Sequence, residues 1–357
     1  MISLDKMDSF VRVASTKPLV SICCSTYSRP DLFALSLDGM LRQKYEPLEI
    51  VVLVDGSHRA SIAQLERCRD PRLRWFATDK PSGMIASWNK VVAASKGKYF
   101  LYCADDDILC DEAIQPQLEV LETHPDVGFC HADFFLIDDK GEKIGHWQSH
   151  EGTWLKHGLE EWTRYLTQPK CCMQTCLVRR ELWDIAGGWD EDAGYPGDNS
   201  LYLKLLRISD VAHIRRFTCH YRIRTENPDS WLKNAAKVKA DFRLAAKHLA
   251  NPPAALRGEI RGLEKSVRDH CTRNAIAVLA DPRGTREQKL EFGTWVVDEL
   301  LDRGIQGMLY RVILFLHLER ATSSVKSCNE FCRGLIRDGL IKLRELTGRE
   351  FALRKTN

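Results

Sequence analysis

The chain has 357 residues, of which 44% are hydrophobic and 28% are charged. These values are ordinary for a soluble globular protein, which excludes collagen-like and largely disordered chains, and the length suits two domains. The formal net charge is only +3, but Lys and Arg are concentrated in residues 233–357. A basic second half indicates either an anionic partner, such as a membrane surface or a polyanion, or simply solvated basic helices.

The thirteen cysteines form neither a CxxC pair nor a disulfide framework. Cys23, Cys103 and Cys130 lie inside apolar runs, where Cys behaves as a small hydrophobic residue. An odd count with this spacing is typical of a reducing cytosol. Residues 1–17 lack the apolar core of a signal peptide, and the longest apolar run, Leu309–Leu318, is too short to cross a bilayer. We therefore expect a cytoplasmic protein.

Strand and helix patterns alternate along the first part of the chain. Strands are predicted at Leu19–Cys24, Leu48–Val54, Leu73–Ala77, Lys98–Ala104 and Val127–Ile137. Helices are predicted at Asp31–Gln43, up to Cys68, at Gly83–Ser95 and up to about Thr123. This alternation predicts an α/β fold with a mainly parallel sheet that is covered by helices on both faces.

The pattern is mixed after Asp138. It predicts a strand at Cys172–Val178, helices at Glu181–Ala186 and Asn199–Ile208, and strands at Val211–Ile214 and Phe217–Ile223. From Trp231 the chain is almost wholly helical. We therefore expect an N-terminal extension over residues 1–17, an α/β domain over 18–230 and a C-terminal α-helical region over 231–357. The apolar run Leu309–Leu318 and the basic segment up to Lys355 would lie on a membrane, pack on the first domain or form a homodimer.

Three polar clusters follow predicted strands: Thr26–Arg29, Asp55–Ser57 and Asp105–Asp107. Open α/β sheets bind ligands at the carboxyl ends of their strands. The coincidence of three polar clusters with three strand ends therefore predicts a ligand site at that edge of the sheet.

The acidic run Asp105–Asp107 is the most informative cluster. Three adjacent carboxylates repel one another unless a cation lies among them. A hard cation such as Mg²⁺ or Mn²⁺ prefers carboxylate oxygens and also binds substrate phosphates. The alternatives are the N-terminus of a helix, where acids favour the dipole, and a solvated acidic turn.

The other polar positions are less specific. Asp55-Gly56-Ser57 is also an ordinary turn or helix cap, and Thr26–Arg29 either holds a nucleotide or leads into a helix. Asp198 precedes a predicted helix, so it is either an N-cap or a general base.

Taken together, these segments resemble the inverting nucleotide-sugar glycosyltransferases of the GT-A superfamily, called family 2. The resembling segments are Val20–Pro30, Ile50–Ser57, Gly83–Asn89, Gly97–Phe100 with the following Asp run, Gly187–Glu191, Gly197-Asp198 and Tyr202–Leu205. The resemblance covers roughly residues 18–224 and implies a GT-A fold, which is Rossmann-like.

The resemblance also implies roles for individual residues. The implied donor contacts are Thr26 and Asp55 on the base or ribose, Tyr27 and Arg29 in the same loop, Lys80 on the base or phosphate, and Asp106 on the ribose or sugar. Asp107, with Asp105 nearby, would bind Mn²⁺ or Mg²⁺, and Asp198 would deprotonate the acceptor hydroxyl. On the acceptor side are Trp189, Asp190, Arg222 and Arg224. Trp189 either stacks on a sugar ring or belongs to the core.

Several positions depart from the family pattern. Ser25 stands where the family commonly has Pro, Gly197 replaces an acid before Asp198, and Arg224 replaces a frequent His. A metal-ligand role is lost at Arg224, although Arg222 and Arg224 remain able to bind diphosphate oxygens.

The implied reaction moves a sugar from a nucleoside-diphosphate donor, with UDP or dTDP types favoured, onto a hydroxyl of a glycan, a lipid-linked molecule or another acceptor. A catalytically degenerate nucleotide- or carbohydrate-binding protein is the alternative. A nucleotidyltransferase would need a Gly-rich loop after the first strand and a dinucleotide oxidoreductase a GxGxxG motif, and residues 25–29 contain no Gly. No aromatic and basic interleaving indicates nucleic-acid binding.

Overall fold

The computed structural model describes residues 17–168, 171–194, 197–224 and 230–300. Contacts divide these residues into two units. The first holds a sheet and takes in the described residues of 17–162, 171–191 and 198–224, and the second, mainly helical, holds the rest. The predicted extension over residues 1–16, the run Leu309–Leu318 and the basic segment after it lie outside the described residues.

The first unit contains ten strands. They are β1 Val20–Thr26, β2 Leu48–Val54, β3 Leu73–Ala77, β4 Tyr99–Tyr102, β5 Ile108–Leu109, β6 Val127–Ile137, β7 Lys143–Trp147, β8 Trp154–Lys156, β9 Leu177–Arg179 and β10 Asp210–Arg222. The sheet order is β3-β2-β1-β4-β9-β6-β10-β5, with β7 beside β6 and β8 beside β10. Strands β1, β2, β3, β4, β6 and β10 run in one direction, and the shorter β5, β7, β8 and β9 run in the other. The prediction of a mainly parallel α/β sheet is confirmed.

Ten α-helices occur in the described residues. They are α1 Pro30–Leu41, α2 Arg59–Arg67, α3 Met84–Ala94, α4 Gln115–Thr123, α5 Gly158–Tyr165, α6 Arg180–Ala186, α7 Gly197–Leu205, α8 Ser230–Ala250, α9 Ile260–Ala280 and α10 Arg286–Trp295. Gly187 ends α6 with φ +73°, a left-handed conformation in which Gly has no Cβ penalty.

The central strands are apolar on both faces because the sheet is covered on both sides. In β2, every residue except Glu49 is buried, and β1 and β4 are almost as fully enclosed. A continuous Val-, Ile- and Leu-rich strand is typical of a parallel sheet under helices. These strands therefore form a rigid base, and the polar residues that follow β1, β2 and β4 project from one edge.

The second half of the sheet differs from the prediction. The two strands expected at Val211–Ile214 and Phe217–Ile223 form one strand, β10, with register shifts after Ile214 and Phe217. The strand expected at Cys172–Val178 begins only at Leu177, after a 3₁₀ turn at Met173–Thr175. The helix expected directly after Asp107 begins at Gln115, because β5 intervenes.

The second unit is helical, as expected from Trp231 onward. The indole Nε1 of Trp231 donates to the carbonyl of Val278 at 2.8 Å, and its ring packs edge-on against Phe292. These contacts join α8, α9 and α10. Among the described residues, none of the helices is both long enough and apolar enough to span a bilayer.

Candidate functional site

The acidic run lies in the loop between β4 and β5, at the carboxyl end of the parallel strands. The hydroxyl of Thr26, the last residue of β1, donates to Asp105 Oδ2 at 2.8 Å. Arg29 Nη2 pairs with the other oxygen of Asp105, and Arg29 Nη1 lies 2.6 Å from Asp106 Oδ2. The neighbouring strands β1 and β4 thus bring two of the three predicted clusters into direct contact.

A second guanidinium reaches the same acid. Arg224 Nη2 lies 2.9 Å from Asp106 Oδ2, the oxygen that Arg29 also contacts. The side chains of Arg29 and Arg224 are 38% and 41% exposed, so both stay within reach of a ligand. Two partly exposed arginines thus share one carboxylate oxygen beside the acidic loop.

Asp107 lies deeper and in a different environment. It is 2% exposed, and its Oδ1 accepts a hydrogen bond of 2.7 Å from the backbone N–H of Arg222. Burial, and next the charge of Asp106, raise the pKa of Asp107 well above its usual range. Of the three acids, Asp107 is the one that no Lys or Arg side chain among the described residues pairs with.

This environment fits a divalent cation at Asp107. A buried carboxylate that lacks a cationic partner gains when a cation is supplied. No group of three His, Cys, Asp or Glu side chains in the described residues is placed to hold a metal alone. A cation here would need oxygens from a substrate as well, which is the usual arrangement for Mg²⁺ with phosphates.

The prediction that Asp105 shares the metal is not supported by this geometry. Both of its oxygens are taken, one by Thr26 and one by Arg29. Thr26 is 1% exposed, so it positions Asp105 and does not face a nucleotide. The helix-terminus alternative for the acidic run is also excluded, since a strand follows Asp107.

Arg222 supports the acidic loop from inside the protein. It is 5% exposed, and its Nε donates to the carbonyl of Asp106 at 2.9 Å. Its Nη1 donates to the carbonyls of Asp138 and Asp139 at 2.7 and 3.2 Å. These contacts make Arg222 a positioning residue, and of the two arginines predicted on the acceptor side only Arg224 is exposed.

Asp55, at the end of β2, organises a neighbouring loop. Its carboxylate accepts from the hydroxyl of Thr78 at 2.9 Å, from the backbone and hydroxyl of Ser82 at 2.9 and 2.7 Å, and from the backbone of Gly83 at 3.2 Å. Gly56 has φ +86°, and a Cβ there would lie 2.8 Å from Pro81. The turn therefore requires Gly, and Asp55 fixes the loop that carries Lys80.

We expect Asp55→Asn to lower the free energy of unfolding by about 1–3 kcal/mol at pH 7. Burial raises the pKa of Asp55, but the hydrogen bonds from Ser82 and Thr78 outweigh burial and lower it overall. A lowered pKa stabilises the folded protein above the unfolded-state pKa, and this stabilisation is lost as pH falls through the folded-state pKa.

Urea unfolding of both proteins at pH 7 and under progressively acidic conditions tests this. The difference between them should shrink on acidification. A difference that stays constant with pH would contradict the role of the ionised carboxylate. Thr78→Val is a control that removes no charge: it deletes the donor to Asp55 and the acceptor of the Gly56 N–H, so its effect should not depend on pH in the same way.

Two predicted donor contacts are exposed at this edge. Tyr27 is 55% exposed and directly follows Thr26, whereas Lys80 is exposed in the loop that Asp55 holds. Their positions leave both side chains accessible to a nucleotide. The contacts predicted for them stay predictions.

Asp198 lies in the first turn of α7 and is partly buried. Its Oδ1 accepts from the backbone N–H of Asn199 at 2.9 Å. After burial and the neighbouring Cys172, the charges of Asp107 and Asp198 both raise the pKa of the Tyr221 hydroxyl. Burial raises the pKa of the Cys172 thiol most, and the same two charges raise it further. Asp107 and Asp198 therefore both lie within electrostatic range of these two side chains.

Of the two interpretations of Trp189, the structure supports the second, in which Trp189 belongs to the core. Trp189 is 2% exposed, and its ring packs edge-on against Trp88, Phe100 and Tyr102. It is therefore not available to stack on a sugar, which corrects the acceptor-side prediction. Asp190 forms an ion pair of 2.8 Å with Lys204, which holds α7 against the loop before it.

Sequence reasoning missed residues that complete the site. Tyr221 and Cys172 receive no role from the sequence, and only the folded chain brings them within electrostatic range of Asp107 and Asp198. Ser25 replaces the family's Pro, and its hydroxyl bonds Tyr102 at 2.7 Å and Ser87 at 3.0 Å. That substitution thus ties β1 to β4 and α3.

A cavity of about 480 Å³ lies elsewhere in the first unit. Its lining includes Asp126, Arg179 and Asp210, which are at the amino ends of β6 and β10 and at the end of β9. None of the predicted site residues lines it. The cavity and the acidic loop are therefore at opposite ends of the parallel strands.

Known proteins resemble this chain in sequence and fold. E. coli chondroitin synthase is 24% identical over 208 residues, which cover 58% of this chain and 29% of that protein. S. aureus TarS 1-349 in complex with UDP aligns with a TM-score of 0.57 at 14% identity, covering 95% of this chain and 94% of that one. Mannosyltransferase PcManGT from Pyrobaculum calidifontis, in complex with GDP-Man and Mn²⁺, aligns with a TM-score of 0.53 at 14% identity, covering 94% and 89%.

The two structures show a shared fold, which is the GT-A fold expected from the sequence. Residues 21–185 match the sequence model of the family described as glycosyl transferase family 2. That segment contains all of β1 except Val20, together with β2 and the acidic loop. Residues 21–185 of this chain therefore have the sequence features of family 2 glycosyltransferases, the family that the sequence resembles.

Proposed function

We propose that the protein transfers a sugar from a nucleoside-diphosphate donor to a hydroxyl group in one inverting displacement, with Asp198 as the general base and Asp107 as the ligand of a divalent cation. The observation that carries this proposal is the buried carboxylate of Asp107 at the carboxyl ends of the strands, which accepts from the backbone N–H of Arg222 and has no Lys or Arg side chain as an ion-pair partner among the described residues. An acceptor hydroxyl placed between the acids would lie beside both the base and the departing diphosphate.

Each acid has the environment that its role needs. Asp107 is buried and forms no ion pair with an Arg side chain of the described residues, so its carboxylate favours binding of a cation. A bound Mn²⁺ or Mg²⁺ would neutralise the charge that develops on the leaving diphosphate. Asp198 is partly buried at the start of α7, where its carboxylate would take the proton of an attacking hydroxyl.

Arg29 and Arg224 would hold the diphosphate. Both contact Asp106 Oδ2, and a guanidinium binds phosphate as well as it binds carboxylate. If a diphosphate oxygen replaced Asp106 as the partner of one of these arginines, the ion pair between Asp106 and the other arginine would remain. Arg224 thereby supplies positive charge at a position where a metal-binding His is frequent in the family.

The donor and acceptor classes are part of the proposal. TarS 1-349 binds UDP and PcManGT binds GDP-Man with Mn²⁺, and we favour a UDP- or dTDP-type donor. The acceptor is a glycan or lipid-linked hydroxyl. We place the catalytic domain at residues 18–230 and the helical region at 231–357, in a cytoplasmic protein whose helical region contacts a membrane or a second copy of the chain.

A thermal-shift screen against UDP, GDP, dTDP and CMP, each with Mn²⁺, Mg²⁺ or EDTA, tests the donor site. A ligand that binds the native state raises the midpoint of unfolding. We expect one nucleoside diphosphate to stabilise the protein only with the metal. A folded sample that no nucleotide shifts would favour the degenerate binding protein, for which Gly197 in place of an acid is the sequence argument.

A further inference from the structure

Three aromatic side chains form a continuous strip on neighbouring strands. Phe134 of β6 and Trp147 of β7 are directly paired, and their rings are stacked with centroids 5.5 Å apart. The ring of Tyr221 in β10 lies 5.7 Å from that of Phe134. We call Tyr221, Phe134 and Trp147 the aromatic strip.

One end of the aromatic strip is at the catalytic acids. Tyr221 precedes Arg222, whose backbone N–H bonds Asp107 at 2.7 Å. The charges of Asp107 and Asp198 both act on the Tyr221 hydroxyl. From this point the strip continues through Phe134 to Trp147 on β7, a strand whose pairing in the described sheet is with β6.

The strip is accessible, in contrast to the aromatic core around Trp189. Tyr221 is 36% exposed, and Phe134 and Trp147 are partly exposed. Trp189, in contrast, is enclosed by other rings. Large aromatic side chains are normally buried, so three adjacent, partly exposed rings leading away from a site indicate a ligand-binding surface.

A neighbouring cluster on the same strands is also partly exposed but differs in its contacts. Phe135 stacks on Phe217 with centroids 4.2 Å apart, and the ammonium group of Lys143 lies 3.9 Å from the centroid of the Phe135 ring. Lys143 thus covers the Phe135 ring, whereas no Lys or Arg in the described part of the chain covers a ring of the strip. Phe135 therefore provides a matched control for the strip.

We infer that the aromatic strip is a subsite for the sugar rings of a carbohydrate acceptor, with Tyr221 beside the reacting hydroxyl and Trp147 under a sugar further along the chain. This inference rests on the proposed function. The negative face of an aromatic ring attracts the polarised C–H groups of a pyranose, and a strip of rings binds successive sugars with little demand on their hydroxyl pattern. The acceptor would thus be an oligosaccharide, and not a small alcohol or an unglycosylated lipid.

A glycan array of defined oligosaccharides, probed with fluorescently labelled full-length protein in the presence of UDP or GDP and Mn²⁺, tests the inference. We expect wild-type protein to bind oligosaccharides and Trp147→Ala to lower the apparent affinity about tenfold. Trp147→Phe keeps an aromatic face and should restore most of the binding. Phe135→Ala should bind as the wild type does. Thermal unfolding of each variant shows whether it is folded.

Equal binding by wild-type protein and a folded Trp147→Ala variant would overturn the inference, as would wild-type protein that binds no oligosaccharide on the array. Equal losses in Trp147→Ala and Phe135→Ala would also overturn it, because they would report general damage to the sheet. The nucleotide-dependent thermal shift of the same wild-type sample separates the two proposals. Its absence contradicts the donor site, whereas the array outcomes concern the aromatic strip alone.

Discussion

Replacing Asp198 by Asn is expected to lower sugar transfer by about 10²–10⁴-fold, the usual contribution of a general base. The Asn side chain has the same shape, and its oxygen still accepts from the backbone N–H of Asn199, so the start of α7 is preserved. What it loses is the ability to take a proton. The measurement is transfer, followed as nucleotide released from the donor in the presence of acceptor.

A matched control separates proton transfer from the loss of a charge at a helix terminus. Glu287 lies in the first turn of α10 and is exposed. Glu287→Gln removes the same kind of interaction with a helix dipole, worth about 0.3–1 kcal/mol. Transfer by the Glu287 variant should equal that of the wild type. Wild-type rates in Asp198→Asn would show that another group is the base.

Replacing Asp107 by Asn is expected to abolish the metal dependence of nucleotide binding and to lower transfer by about two to three orders of magnitude. The amide oxygen still accepts from the backbone N–H of Arg222. The negative charge that attracts the cation is gone. Thermal shifts with and without Mn²⁺, together with transfer rates, measure the two effects separately.

The same variant should not destabilise the nucleotide-free protein. Burial and Asp106 raise the pKa of Asp107 in the folded state, so its ionised form costs free energy that increases as pH rises above the unfolded-state pKa. Asp107→Asn removes this cost at pH 7 and should unfold at the same temperature as the wild type or higher. A marked fall would mean that Asp107 has a structural role. The control Asp111→Asn changes an acid whose side chain is 52% exposed and should leave metal-dependent binding intact.

The apolar strands could be predicted because each one is a short, continuous, β-branched run. Leu48–Val54, Leu73–Ala77 and Val127–Ile137 have the predicted bounds. β5 is not predictable because its two residues are too few to form a pattern. β7 contains Lys and Gly, and the three-residue β8 contains Lys, so neither has the apolar pattern of a strand. Their pairing is determined by β6 and β10, which is information that a local pattern does not contain.

The candidate site was predictable in outline for a similar reason. The carboxyl ends of neighbouring parallel strands meet, so Thr26 and Asp105 were expected near each other. The partner of each acid could not be predicted, because Arg29 and Arg224 are separated from Asp106 by 77 and 118 positions in the chain. The distinction between a paired Asp106 and an unpaired Asp107 depends on those long-range contacts. The two interpretations of Trp189 could also be separated only by its burial.

The position of β9 has a consequence for synthesis of the chain. β9 lies between β4 and β6, although it follows both in sequence. While a ribosome makes the protein, β3, β2, β1 and β4 have all emerged before β9 exists, and the edge of β4, with its buried sequence Tyr99–Tyr102, is left without a neighbour. An unpaired apolar edge is a template for association with other chains. Nascent chains that stop before Leu177 should therefore depend most strongly on chaperones. This dependence should end once the three residues of β9, Leu177–Arg179, have emerged from the ribosome.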